Sequence, residues 1–150
     1  MSLYGIIVGI HVIAAVVGMG PAFAFPIISK IAKNKEQLIL MHLLMEKIEK
    51  PVKIGSLTLL ATGLIMGALN TYLFTQAWYI TSIILYFVAQ IFVIGVSAKA
   101  MKQSNALLEA AKTDEIPDAV LALNKKSSSA LNISSIIAVV MILLMSLKPF

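Results

Sequence analysis

Cysteine and arginine are both absent from this chain of 150 residues, and charged residues make up only 13% of it. Without cysteine there is no disulfide, no thiolate metal site and no cysteine nucleophile. The seven acidic residues all lie between Glu36 and Asp118, outside the most apolar stretches, which argues against a carboxylate proton relay inside a membrane. The chain also lacks a P-loop, a His-Glu-x-x-His motif and a convincing serine-histidine-aspartate set. These absences exclude several common classes of catalytic site.

Apolar residues are what the chain has in excess. They account for 59% of it, compared with about 45–50% in soluble domains. Four apolar runs each approach the roughly 20 residues that cross a bilayer. The predicted spans cover residues 3–28, 54–74, 77–98 and 130–147. The sequence therefore predicts an all-α membrane protein, a four-transmembrane-helix bundle whose residues 1–150 form a single integral membrane domain in a lipid bilayer.

The lysines predict the direction of the four spans. Six of the twelve lysines follow span one and five lie between spans three and four, whereas the turn near residues 74–78 has no charge. The positive-inside rule places both lysine-rich segments in the cytoplasm and both termini outside a bacterial plasma membrane. This placement accounts for the net charge of +5 better than nucleic-acid binding does. Four aromatic residues are predicted to form an outer interfacial belt: Tyr4, Tyr72, Trp78 and Tyr79.

The first lysine-rich segment predicts a helix. Asn34 can cap a helix over residues 35–50, and Pro51 is expected to break or kink it. Its apolar residues cover much of the helical wheel, which favours an interfacial helix lying on the inner leaflet. His42 and Glu46 have i, i+4 spacing, for which a solvated ion pair is a better interpretation than a metal site, because no second histidine is nearby.

The second lysine-rich segment predicts a hairpin outside the bilayer. Residues 99–112 are rich in alanine and leucine, so span three is expected to continue as a helix. A helix over residues 77–112 would be roughly 50 Å long, whereas the bilayer core is about 30 Å thick. The Thr-Asp-Glu-Ile-Pro-Asp sequence at residues 113–118 is typical of a turn before a helix start. Spans three and four are therefore predicted to form an extended cytoplasmic hairpin.

His11 is the strongest candidate functional residue. It lies eight or nine residues below the outer end of span one, roughly 12–14 Å deep, where an ionisable group is costly. One hypothesis is that His11 faces a cavity and ligates a haem b or binds another small ligand, with Thr62, Tyr86 and Gln90 around it. The alternative is a simple hydrogen bond from His11 to Tyr86 or Gln90 that holds helices together in a non-enzymatic membrane module, such as a partner subunit or small transporter.

Two prolines and a polar face complete the interior. Pro21 and Pro26 each free a carbonyl group four residues earlier in span one and should bend the helix. Polar residues share one face of span four: Asn124, Ser128, Asn132 and Ser135. Both features predict a mildly polar bundle interior.

Glycines spaced as G-x-x-x-G predict close helix packing within or between chains. The spacing occurs in spans one and two, at Gly5, Gly9, Gly63 and Gly67. A homo-oligomer formed through these glycines is therefore a candidate assembly.

The opening of the chain resembles a bacterial family of four-helix integral membrane proteins of unknown function. The resemblance rests on His11-Val-Ile-Ala-Ala-Val-Val17 followed by Gly18-Met-Gly-Pro21, and on Thr62-Gly-Leu64. The chain is more distantly similar to the HemJ protoporphyrinogen oxidases and CopD-type membrane domains, in which a span-one histidine resembles a haem ligand. That resemblance implies haem ligation by His11, although Ser82 stands where the HemJ group has a lysine.

Overall fold

Helices form all the regular structure in the computed structural model, which describes residues 2–149. Five α-helices follow one another: α1 (Leu3–Ile28), α2 (Lys35–Leu69), α3 (Ala77–Gln90), α4 (Lys99–Ala110) and α5 (Asp118–Leu147). A 3₁₀ turn at Thr71–Thr75 precedes α3, and a π-helical segment at Ile91–Ala98 joins α3 to α4. Four helical stretches are long and apolar enough to cross a membrane, because the run from Ala77 to Ala110 counts as one. The predicted all-α fold with four spans is confirmed.

The N-terminal ends of α1 and α2 are capped by polar side chains. Ser2 accepts a hydrogen bond from the backbone N–H of Gly5 at 3.2 Å. Asn34 accepts one from the backbone N–H of Gln37 at 2.9 Å, and the Gln37 side chain accepts from the N–H of Lys33 at 2.8 Å. These bonds satisfy N–H groups that have no partner inside a helix. The predicted cap at Asn34 is confirmed.

The lysine-rich half of α2 differs from the predicted separate interfacial helix. Residues 35–50 are helical, as predicted, but α2 continues without a break through Pro51 to Leu69. The half before Pro51 buries Leu38, Met41 and Met45 in a cluster with Leu108 of α4. It therefore packs against the hairpin. Protein covers only part of its broad apolar surface, because Ile39, Leu40, Leu43 and Leu44 are 46–56% exposed. That exposed strip is still available to lie on the inner leaflet, as the amphipathic pattern predicted.

The hairpin between spans three and four has the predicted form. The continuous run from Ala77 to Ala110 has 34 residues, or about 50 Å of helix. A non-helical turn over residues 111–117 leads into α5. Lys35 of α2 donates hydrogen bonds to the carbonyls of Ala111 and Thr113, at 2.8 and 2.9 Å. A lysine at these carbonyls offsets the negative end of the α4 dipole. The contact also brings both lysine-rich segments to the same end of the bundle.

Two glycines allow α1 and α2 to cross with their backbones in contact. A Cβ added to Gly18 would lie 2.6 Å from the backbone nitrogen of Ser56, and one added to Gly55 would lie 2.7 Å from the nitrogen of Gly18. No other residue type fits at either position without moving a helix. Small residues that let helices approach this closely are characteristic of membrane bundles. This crossing sets the relative position of α1 and α2.

Two of the four residues of the predicted aromatic belt face the interior of the bundle. Trp78 and Tyr79 are 8% and 4% exposed, so both rings lie inside the bundle. Tyr79 donates a hydrogen bond to the carbonyl of Gly63 at 2.9 Å, and its ring packs edge-on against Phe74 at 5.4 Å between centroids. The hydroxyl of Tyr79 finds a partner on α2, and this favours the inward position over the membrane interface.

Candidate functional site

The imidazole ring of His11 lies between α1 and α2 with only 9% of the residue exposed. Its Nδ1 atom is 2.9 Å from the hydroxyl oxygen of Thr62. Gly63 gives the ring room, because a Cβ there would lie 3.4 Å from Cε1 of the imidazole. The structure thus brings together two of the residues predicted for this site. The hydrogen-bond partner of His11 is Thr62, not Tyr86 or Gln90 as the alternative hypothesis expected.

The hydrogen bonds of Thr62 favour one protonation of the His11 ring. The hydroxyl of Thr62 is 2.7 Å from the carbonyl oxygen of Thr58 and 3.1 Å from that of Leu59, and it can donate to either. A hydroxyl has one hydrogen, so when Thr62 donates to a carbonyl its oxygen accepts from His11, and Nδ1 carries the proton. Nε2 then holds a free lone pair. Histidines that bind metals use the same arrangement, in which the second ring nitrogen donates to a protein acceptor.

His11 forms part of the wall of a cleft of about 670 Å³. Nε2 of His11 has no hydrogen-bond partner among the described residues, and none of their buried side-chain nitrogens or oxygens lacks a partner. Nε2 must therefore have accessible surface, which the cleft provides. Most of the remaining lining is apolar, with four methionines among it: Met19, Met66, Met141 and Met145.

A lysine and a tryptophan lie at the end of this cleft that is away from the lysine-rich segments. Lys148 lines it just beyond the last residue of α5, and its ammonium group is 5.6 Å from the centre of the Trp78 ring, which also lines it. A cation over an indole face is a favourable contact. Sequence reasoning did not single out Lys148, although it is the only lysine outside the two lysine-rich segments. The cleft thus combines an apolar body, an imidazole and, at the end near the C-terminus of α5, a cation.

The other two predicted site residues are bound to α2 through Ser56. The hydroxyl of Tyr86 is 2.9 Å from the Ser56 hydroxyl and donates to the Ser56 carbonyl at 3.0 Å. Gln90 donates to the Ser56 hydroxyl at 2.6 Å. Tyr86 lines the cleft with His11, whereas Gln90 does not. The sequence analysis did not predict a role for Ser56. The signal in the sequence was its place beside Gly55, a small residue of the kind at which membrane helices pack closely.

The carbonyl group of Ala22, which Pro26 leaves without its helical partner, joins α1 to α5. Pro26 has no N–H, so the carbonyl of Ala22 loses its helical partner. The hydroxyl of Ser135 in α5 is 2.9 Å from that carbonyl and also 2.9 Å from the carbonyl of Leu131 in its own helix. Its one hydrogen is needed more by Ala22, because a helical carbonyl such as that of Leu131 already accepts from the N–H four residues on. The residue after Ala22, Phe23, lines the cleft, so this bond ties α5 to α1 next to the cleft wall. The carbonyl that Pro26 frees in α1, as predicted, therefore serves to bind α5. Ser135 lies inward, as its helical face indicated.

Two of the four G-x-x-x-G glycines are used inside the chain. Gly63 faces His11, and a Cβ on Gly67 would lie 2.8 Å from the ring of Phe74. In contrast, no described atom lies within 4 Å of a Cβ placed on Gly9, and only the Ser2 hydroxyl approaches one placed on Gly5. Association of copies through Gly5 and Gly9 stays a prediction. Gly63 and Gly67 are occupied by intramolecular packing.

The second histidine, His42, is neither solvated nor paired with Glu46. It is only 2% exposed and lies among α2, α4 and α5. Its Nδ1 atom is hydrogen-bonded to the carboxamide of Asn105, and Nε2 is 3.1 Å from the oxygen of Asn124. Burial lowers the pKa of His42, and the two carboxamides oppose that shift. Within residues 2–149, no group of three or more His, Cys, Asp or Glu side chains is placed to hold a metal ion.

Comparisons with known proteins agree with this picture of a membrane bundle. Residues 5–149 match a family model described as "Predicted integral membrane protein (DUF2269)". Neither the curated proteins nor the solved structures include a match to the chain. The family match covers nearly the whole sequence and therefore includes His11, the α1–α2 crossing and the hairpin. The chain belongs to the DUF2269 family of predicted integral membrane proteins.

Proposed function

We propose that this protein binds haem b, or an amphipathic planar ligand of similar size, in the cleft beside His11. The observation that carries the proposal is the Thr62 hydrogen bond, which leaves the lone pair of His11 Nε2 free at the wall of a large apolar cleft. A neutral imidazole that donates through one nitrogen has a lone pair on the other, and the site is distinguished by the position of His11 at a cleft large enough for a ligand. Neutral imidazole is a common axial ligand of haem iron.

The residues of the cleft fit such a ligand. A volume of about 670 Å³ lies within the range of roughly 300–1,000 Å³ that is usual for small-molecule sites. The apolar walls suit a porphyrin face, and the ammonium group of Lys148 at the end near the C-terminus of α5 suits carboxylate groups.

The chain's own residues would bind, orient and shield the group. Thr62 holds the Nδ1–H of His11 and so directs Nε2 into the cleft, which also raises the basicity of that nitrogen. Ser56 anchors Tyr86, so the α3 wall stays at a fixed distance from α2. When bound, haem would supply a centre for one-electron transfer. A redox-related role in the membrane is the function that follows from this site.

A titration with haem b tests the proposal. Protein purified in mild detergent should give a sharpened Soret band with haem b at a defined stoichiometry, and His11→Ala should lose it. His42→Gln is the matched control, because it removes the only other histidine in the chain and leaves the cleft unchanged. A wild type that shows no Soret change with haem b, and that loses stability in His11→Ala, would contradict the proposal. It would favour a non-enzymatic membrane module, in which His11 joins helices.

We further propose that both lysine-rich segments lie in the cytoplasm of a bacterial cell and that both termini lie outside. Support comes from Lys35, which brings the two segments together at one end of the bundle. The parent has no cysteine, so Thr75→Cys and Thr113→Cys can be labelled cleanly. Thr75→Cys should react with a membrane-impermeant maleimide in intact cells, and Thr113→Cys only after lysis. The reverse pattern would refute the orientation.

A further inference from the structure

A second, polar cleft lies at the lysine-rich end of the bundle. Its volume is about 340 Å³, and it lies between the end of α1, the start of α2, the hairpin turn and α5. Two lysines line it, Lys30 and Lys125, together with three serines and two asparagines. None of the described residues that line it is acidic. This lining is rich in hydrogen-bond donors and positive charge, which is the chemistry of an anion site.

Asn124 is held so that its amide group is free to donate into this cleft. Its side-chain oxygen is 3.1 Å from Nε2 of His42 and accepts from the hydroxyl of Ser104 at 3.2 Å. A neutral His42 has one N–H, and when Nε2 carries it both His42 and Ser104 donate to the Asn124 oxygen, which leaves the two N–H donors of Asn124. Asn124 lines the cleft with those donors still available. The buried His42 cluster thus fixes the orientation of one wall of the site.

The serines add hydroxyl groups at the level where two spans end. The hydroxyl of Ser29, which donates to the carbonyl of Pro26 at 3.0 Å, is 3.4 Å from the hydroxyl of Ser128. Ser29 follows the last residue of α1, and Ser128 lies just before the predicted start of span four. The cleft is therefore at the boundary between the apolar spans and the lysine-rich end. Basic pockets between helices at such a boundary bind the head groups of anionic lipids.

We propose that this cleft binds a phosphate group, with Lys30 and Lys125 supplying charge and Asn124 and Ser128 supplying hydrogen-bond donors. The phosphate can belong to an anionic phospholipid at the membrane boundary or to a soluble phosphate compound. Both present the same tetrahedral oxyanion to the same donors. The site is separate from the His11 cleft and does not depend on haem binding.

The test compares two double variants with equal charge. Lys30→Gln with Lys125→Gln removes the lysines of the cleft, whereas Lys33→Gln with Lys126→Gln removes exposed lysines nearby that do not line it. In the first arm, phosphatidylglycerol bound from mixed phosphatidylcholine nanodiscs is measured by native mass spectrometry. In the second, inorganic phosphate is added in detergent at constant ionic strength, and the thermal midpoint is measured.

Wild type and the control pair should retain phosphatidylglycerol selectively, and the cleft pair should bind it roughly 30-fold more weakly, as expected for two lysines near a membrane surface. If the ligand is a soluble phosphate compound, inorganic phosphate will stabilise wild type and the control pair but not the cleft pair. Equal losses in the two pairs, or no response of wild type in either arm, would overturn the proposal. Helical content and the midpoint in plain detergent show whether the cleft pair still folds.

Discussion

Replacing Gly18 by alanine should separate α1 from α2 at their crossing. The added Cβ would lie 2.6 Å from the backbone nitrogen of Ser56 and 2.9 Å from the carbonyl carbon of Gly55. Ordinary contacts begin at about 3.5 Å, so the helices must move apart by somewhat less than 1 Å. Both obstacles are backbone atoms, and no side-chain rotation can relieve the overlap.

Gly20 in the same helix shows how much stability Gly18→Ala should cost. Gly20 is two residues further on, and no described atom lies within 4 Å of a Cβ placed there. Gly20→Ala should be neutral or stabilising by up to about 1 kcal/mol, because alanine favours a helix over glycine. Gly18→Ala has the same gain in helix propensity, but overpacking at the crossing should lower the free energy of unfolding by about 1–3 kcal/mol or more. The two variants should therefore differ by about 1–3 kcal/mol in the free energy of unfolding.

Reversible unfolding in mixed micelles, followed by circular dichroism, measures this difference directly. The crossing also positions the site, because His11 and Thr62 each lie seven residues, about 10 Å of helix, from Gly18 and Gly55 respectively. Gly18→Ala should therefore weaken haem binding as well as stability. Gly20 lines the cleft, so Gly20→Ala is the control for stability alone. Equal stability of the two variants would refute the close backbone contact.

Two further predictions concern single interactions. Ser135→Ala should destabilise the protein by about 1 kcal/mol in the same unfolding assay, because it leaves the carbonyl of Ala22 unpaired. In a Pro26→Ala background, which restores the N–H partner of that carbonyl, Ser135→Ala should cost less stability. An unchanged cost would show that Pro26 is not the reason why Ala22 needs Ser135. The lowered pKa of His42 means that its neutral form favours the folded state, so this contribution is present above about pH 6.5 and is lost as the pH falls through the folded-state pKa. The thermal midpoint should therefore fall below pH 6.5 in wild type but less in His42→Gln; equal slopes would show that other groups control the acid response.

The spans and the hairpin could be predicted because their signals are local in the chain. An apolar run of sufficient length must be helical to cross a bilayer, and α1 was predicted over the residues that it occupies, Leu3–Ile28. The turn at residues 113–118 carries its own Asp and Pro signals. These features depend on neighbouring residues, so they need no knowledge of how the helices pack.

The partners of the two histidines depend on how helices rotate and cross, which a helical wheel does not contain. Thr62 was placed near His11, but the choice of Thr62 over Tyr86 follows from the contact of Gly18 with Gly55. His42 shares a wheel stripe with Glu46 and was interpreted as solvated, yet α4 and α5 cover it. A wheel shows which residues share a face but not which neighbour covers that face.

Ligation of haem iron by His11 can be measured through the iron–imidazole stretching band in the resonance Raman spectrum of the ferrous, haem-loaded protein. This band should be present in wild type and lost in His11→Ala. It should shift to lower frequency in Thr62→Val, because losing the acceptor for Nδ1–H makes Nε2 a weaker donor to iron. A wild type without the band, or a band that survives in His11→Ala, would rule out ligation by His11.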